Sequence, residues 1–201
     1  MLDKSQIKIA SSAYANPSST ESLDYSESKD TTGSDILAYC AFLLTYPSSA
    51  WWHALKEIKT QVGTLPELDS LVDVIAYIEE QPEGDYEDEY VRLFDFSSQT
   101  NMYLSSYDST NAEEQAAKLL VYKDFFLRHG YEVQKELPDY VPALLELCTY
   151  LSEADAWPIL KHMKSGLQTL RDELAKGRHI QVFIIDTVLQ YIEREERNHD
   201  E

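Results

Sequence analysis

The sequence predicts an all-α protein, a single bundle of about eight helices behind a disordered N-terminal tail. Two observations carry this. From Ser34 onward apolar residues recur at helical spacing almost to the end of the chain. No stretch alternates apolar and polar residues between hairpin turns, and no repeat of 30 to 50 residues indicates a solenoid.

Residues 1–33 are rich in Ser, Thr and Asp, lack a sustained period, and read as a flexible tail; residues 34–201 form the helical domain. Ser34 is a candidate N-cap for a helix carrying Leu37, Cys40 and Leu44 on one face, and Pro47 stops it. A second helix runs from Ser49 to Val62, a third from Leu65 to Glu79, and a fourth starts near Gly84. Residues 95–111 are polar and read as an ordered loop, long enough to be functional. A fifth helix spans Ala112 to His129 and ends at Gly130. The sixth begins near Pro138, with Asp139 in a first turn whose dipole suits a carboxylate. The seventh covers Asp155 to Ala175, and the eighth Ile180 to Arg197. The β-branched stretch at 180–186 continues at helical spacing to Ile192, so it is assigned to that helix.

The formal net charge is −19, from 36 acidic and 17 basic residues. Such a surface repels phosphates and anionic lipid, which argues against nucleic-acid and membrane partners and favours a basic segment. No apolar run reaches transmembrane length and the N-terminus has no secretory core, so a cytoplasmic location is expected. Cys40 and Cys148 sit apart among apolar residues and read as buried free thiols. The acidic run from Glu79 to Glu89 lacks the order of a calcium loop; it reads as a solvated helix start or as an electrostatic guide for a basic peptide.

Catalytic patterns are missing. There is no phosphate-binding glycine loop and no nucleophile elbow. The histidines are scattered, and a lone Glu196 to His199 spacing falls short of the paired set that a di-iron site needs. No catalytic residue, metal site or cofactor is expected.

Three segments carry a resemblance. They are Leu43-Leu44-Thr45-Tyr46-Pro47, then Tyr90-Val91-Arg92-Leu93-Phe94-Asp95-Phe96 with Met102-Tyr103-Leu104, and Glu136-Leu137-Pro138-Asp139-Tyr140-Val141-Pro142 leading to Leu144-Leu145-Glu146. Together they resemble the NarJ branch of the TorD/NarJ family of molybdoenzyme assembly chaperones. Where that family commonly carries a Gly-Asp-x-Arg-x-Arg-Gly-like stretch, residues 108–116 here hold neither glycine nor arginine.

The resemblance implies a cytoplasmic chaperone. Its client would be the N-terminal segment of the nitrate reductase alpha subunit, held until the molybdenum cofactor is inserted. Some relatives form dimers, so a homodimer is open. The same resemblance leaves room for a different molybdoenzyme client, and the residues alone also fit a helical adaptor. Candidate anchors for a client are Tyr90, Phe94, Tyr103, Leu104, Tyr140 and Leu144, with Asp95, Glu136, Asp139 and Glu146 as partners for basic residues. Phe94, Leu104 and Leu144 equally suit the core, and Asp139 a helix cap. Tyr140 stands out because an aromatic in a proline-bounded turn is not required for packing.

Overall fold

Backbone chemistry divides the chain much as the apolar pattern does. A computed structural model of the protein describes residues 7–9, 31–65, 68–107 and 109–200. Among these residues eight α-helices are present: α1 Thr31–Leu43, α2 Ser49–Val62, α3 Asp69–Glu79, α4 Glu83–Tyr90, α5 Ala112–Arg128, α6 Val141–Tyr150, α7 Glu153–Lys176 and α8 Val182–Asp200. A π-helical turn, Val91–Asp95, continues α4, and a short 3-10 turn, Leu104–Ser106, stands alone before α5.

Several ends are chemically determined. Ser48 caps α2 by accepting from Trp51 N–H, and Gly63 follows the helix. Pro82 precedes α4, where its missing N–H costs nothing. Ser152 caps α7 by accepting from Asp155 N–H.

The core joins α1 to α6 and α8, α7 to α6 and α8, and α3 to α2 and α8. Leu37, Leu44, Ile75, Leu144, Leu147, Met163, Leu167, Ile185 and Val188 are among its buried side chains. Polar links also cross between helices. Arg171 Nε donates to Asp186 Oδ1 at 2.8 Å between α7 and α8, and Lys164 Nζ to Glu196 Oε2 at 2.5 Å. Cys40 and Cys148 are buried and unbridged, and burial pushes the Cys40 thiol well up from its ordinary pKa.

Four expectations need correction. α1 begins at Thr31, so Ser34 is not its cap; the Ser34 hydroxyl instead donates to the Thr149 carbonyl at 3.1 Å and ties α1 to α6. α3 begins at Asp69 rather than Leu65. α6 begins at Val141, so Pro142 occupies its first turn, while Pro138 and Asp139 precede it. Strands also occur: β1, Ile7–Ile9, pairs antiparallel with β2, Tyr131–Val133. Apart from residues 7–9 and the start of α1, the expected tail lies outside the described residues.

Candidate functional site

Pro47 sets up the first part of the site. Beyond α1, Ser48 N–H turns back to the Tyr46 carbonyl at 2.8 Å, so the Leu44 carbonyl gets no donor from the helix ladder. The Tyr90 hydroxyl takes that place, donating to Leu44 O at 2.9 Å. The Tyr46 ring meets the Tyr90 ring edge-on, with centroids 5.7 Å apart, and keeps 46% of its surface exposed.

The π-turn supplies the second part. Phe96 N–H donates to the Val91 carbonyl five residues back, at 3.1 Å, which widens the helix by one residue. Leu93 and Phe94 face inward there, and the Phe94 ring lies 4.9 Å from that of Tyr90. Asp95 is exposed, and Phe96 is 83% exposed. The Thr100 hydroxyl holds the return of the loop by donating to Leu93 O.

A two-sided backbone zipper joins the third part. Leu104 N–H donates to the Asp139 carbonyl at 3.2 Å, and Val141 N–H donates to the Met102 carbonyl at 2.9 Å. Tyr103 and Tyr140 are thus paired as an isolated antiparallel bridge, with ring centroids 5.6 Å apart. The Tyr103 hydroxyl donates to Glu136 Oε2 at 2.6 Å. Asp139 is fully buried, and its Oδ2 accepts from Ser105 N–H at 3.0 Å. Leu104 packs on Gly166 of α7 so closely that a Cβ there would lie 3.1 Å from its Cδ2.

The three segments therefore converge on one cluster. Tyr90 and Tyr140 face each other hydroxyl to hydroxyl at 3.5 Å. Burial first, then the Tyr140 hydroxyl and the Asp95 carboxylate, holds Tyr90 well above the ordinary tyrosine pKa. Burial also pushes Tyr140 up to about 12; the Tyr90 contact opposes this, and the Glu136 and Asp95 carboxylates add to it. Burial, then the bond to Glu136, raises Tyr103 as well. All three phenols are neutral at physiological pH.

Tyr90, Phe94, Tyr103, Tyr140, Asp95 and Glu136 are brought together; Leu104, Asp139 and Leu144 stand behind them. Asp139 and Leu144 have no exposed surface. Asp139 caps no helix, because the N-cap position of α6 belongs to Tyr140. Tyr140 is only 8% exposed and does pack, against Tyr103 and Tyr90. Glu146 accepts from the Tyr150 hydroxyl at 3.5 Å, on the side of α6 where Tyr150 stacks on Tyr131 of β2. Three exposed apolar residues in these segments lie outside the candidates that the sequence offers: Tyr46, Phe96 and Leu137, the last 51% exposed. No periodicity marks Phe96, because the π-turn shifts the register after Tyr90.

Beyond the cluster, a cleft of about 780 Å³ is lined by Arg92, Thr100, Lys176 and His179, with Glu89 and Glu173 offsetting its cations. Among the described residues no His, Cys, Asp and Glu side chains are grouped to hold a metal ion, and no helix is long and apolar enough to cross a membrane.

Fold and cluster define a class: an all-helical protein with a tyrosine-rich, carboxylate-edged surface where two loops meet a helix start. The family model described as nitrate reductase delta subunit matches residues 55–184, more than half of the chain. The chain belongs to that family. It is also similar to the probable nitrate reductase molybdenum cofactor assembly chaperone NarJ of Bacillus subtilis (strain 168), at 28% identity over 156 residues, 75% of this chain and 84% of that relative. The matched region holds the second and third segments. The first lies before it, yet Leu44 is bonded directly to Tyr90.

Proposed function

We propose that this protein is a cytoplasmic chaperone for nitrate reductase assembly, which holds the N-terminal segment of the alpha subunit and keeps it competent for molybdenum cofactor insertion. Family membership and the name of the Bacillus subtilis relative support the enzyme system. The observation that carries the binding role is the exposure of Phe96, Tyr46 and Leu137 on segments that also hold Asp95 and Glu136. Exposed aromatics next to carboxylates suit a client segment that has apolar anchors and basic neighbours.

In this reading Phe96, Tyr46, Tyr103 and Leu137 contact the client, and Asp95 and Glu136 pair with its basic residues. Tyr90, Phe94 and Tyr140 fix the shape of the surface; Leu104, Asp139 and Leu144 support it from behind. Glu146 is assigned to the same function at the far side of α6. The net charge of −19 speeds encounter with a basic segment and makes that encounter salt-sensitive.

Calorimetric titration with a peptide from the alpha subunit's N-terminus tests the proposal. Saturable binding is expected. Phe96→Ala and Tyr103→Ala should each weaken it about tenfold or more, as central anchors do, with the far-ultraviolet helical signal unchanged. Absence of binding at every salt concentration and pH would sink the client assignment. Full-strength binding by both variants would move the site elsewhere. Tighter binding of the corresponding peptide from another molybdoenzyme would reassign the client.

A further inference from the structure

β1 and β2 form the one sheet among the described residues of an otherwise helical protein. β2 follows Gly130, whose φ of +75° turns the chain out of α5. Tyr131 and Val133 pack against the core, with the Tyr131 ring stacked on Tyr150 of α6 at 5.5 Å, while Glu132 is exposed. The body of the protein thus fixes β2 through alternate side chains. One edge of β2 pairs its N–H and C=O groups with an extended segment, and a strand edge is a template for such a segment.

The segment that fills it comes from far away in sequence. The register sets Ile7 opposite Val133, Lys8 opposite Glu132, and Ile9 opposite Tyr131. The occupant alternates apolar, basic, apolar. Its lysine falls opposite the outward glutamate, and its isoleucines fall opposite the two residues that face the core. β1 also lies against α6. A ladder of three residue pairs is short, and a lone two-stranded pairing is marginal without packing. Residues 10–30 tether it covalently to the same chain, so the pairing is intramolecular.

We infer that the edge of β2 is a strand-addition site for an extended partner segment of apolar–basic–apolar pattern, and that Ile7–Ile9 occupy it in cis as a built-in competitor. Such a partner gains affinity from main-chain hydrogen bonds and selectivity from alternate side chains. The tether presents the internal segment at an effective concentration on the order of a millimolar, so a partner must outbind it to enter.

The test uses the full chain and a fluorescein-labelled peptide of residues 3–11. In the double variant Ile7→Asp, Ile9→Asp the internal strand is released. The labelled peptide should then bind with a saturable anisotropy change, about tenfold or more tighter than to the unaltered chain. Glu132→Lys, placed in the double variant, should weaken that binding, and a peptide carrying Lys8→Glu should recover it. Equal binding to both chains, or binding to neither, would overturn the inference. So would energy transfer between two differently labelled copies that disappears in the double variant, because Ile7–Ile9 would then be filling a second copy's β2.

Discussion

Asp139 carries a carboxylate into a fully buried position where only one of its oxygens is matched. Oδ2 accepts from Ser105 N–H, and Oδ1 has no hydrogen-bond partner among the described residues. Removing the side chain strands a buried N–H, whereas an amide oxygen keeps that bond. Asp139→Ala is therefore expected to cost about 1–3 kcal/mol in urea unfolding, and Asp139→Asn under about 1 kcal/mol. Leu144→Ala, in the core behind the cluster, should cost about 2–5 kcal/mol. Phe96→Ser should leave stability within about 0.5 kcal/mol while abolishing the proposed anchor. Stability and binding measured on the same variants thus separate contact from support. The sequence singles out Asp139 and Leu144 but not Phe96, and does not say which side chain supports and which is exposed. Whether a side chain in these segments faces in or out depends on which distant segment packs on it, and local pattern does not encode that.

Residues 110–114 build the start of α5 from side-chain hydrogen bonds. Asn111 is the N-cap of α5 and accepts from Glu114 N–H at 2.9 Å, while Glu114 Oε2 accepts from Thr110 N–H at 2.8 Å. The Thr110 backbone bond, then the Thr110 hydroxyl, holds the Glu114 carboxyl below its ordinary pKa. The contribution of the Glu114 carboxylate is accordingly present at neutral pH and lost as pH falls through the carboxylate range, while the Asn111 cap does not titrate. Asn111→Ala should lower stability by about 1 kcal/mol and speed amide exchange in the first turn of α5 ahead of the other helices. Starts of this kind are legible: α2 and α5 begin where the sequence places them, because Ser48 and Asn111 are capping residues beside clear periods. The start of α6 is not. Two prolines compete for its first turn, and the backbone zipper with residues 102–104 settles the choice in favour of Pro142. The π-turn at Val91–Asp95 is equally hidden, since a 3.6-residue template has no register for a five-residue hydrogen bond.

At the scale of the whole molecule, the 14 tyrosines set an alkaline limit on the fold. Tyr140, pushed up to about 12, stays protonated in the folded state at a pH where the unfolded chain's phenols, near 10, have ionised. Burial raises Tyr86, Tyr90, Tyr103 and Tyr107 likewise. Above pH 10 the unfolded state then binds fewer protons than the folded one, so stability falls with rising pH. Chemical denaturation between pH 9 and 12 should show a steep loss across the upper part of that range. Tyr140→Phe should flatten the loss without changing its onset. Helix content, acidity and the three motif segments were all visible in the sequence. Their assembly into one cluster was not, because no periodicity links Leu44, Tyr90 and Tyr140.

That assembly has a temporal side. Tyr90 reaches back 46 residues to Leu44 and forward 50 to Tyr140. At about 5–20 residues per second, a ribosome that has just made Leu44 needs on the order of 5–20 seconds more before Tyr140 exists. The nascent chain carries its exposed aromatics through that interval without the partners that shape them. The tyrosine cluster can close only after about two thirds of the chain has been made.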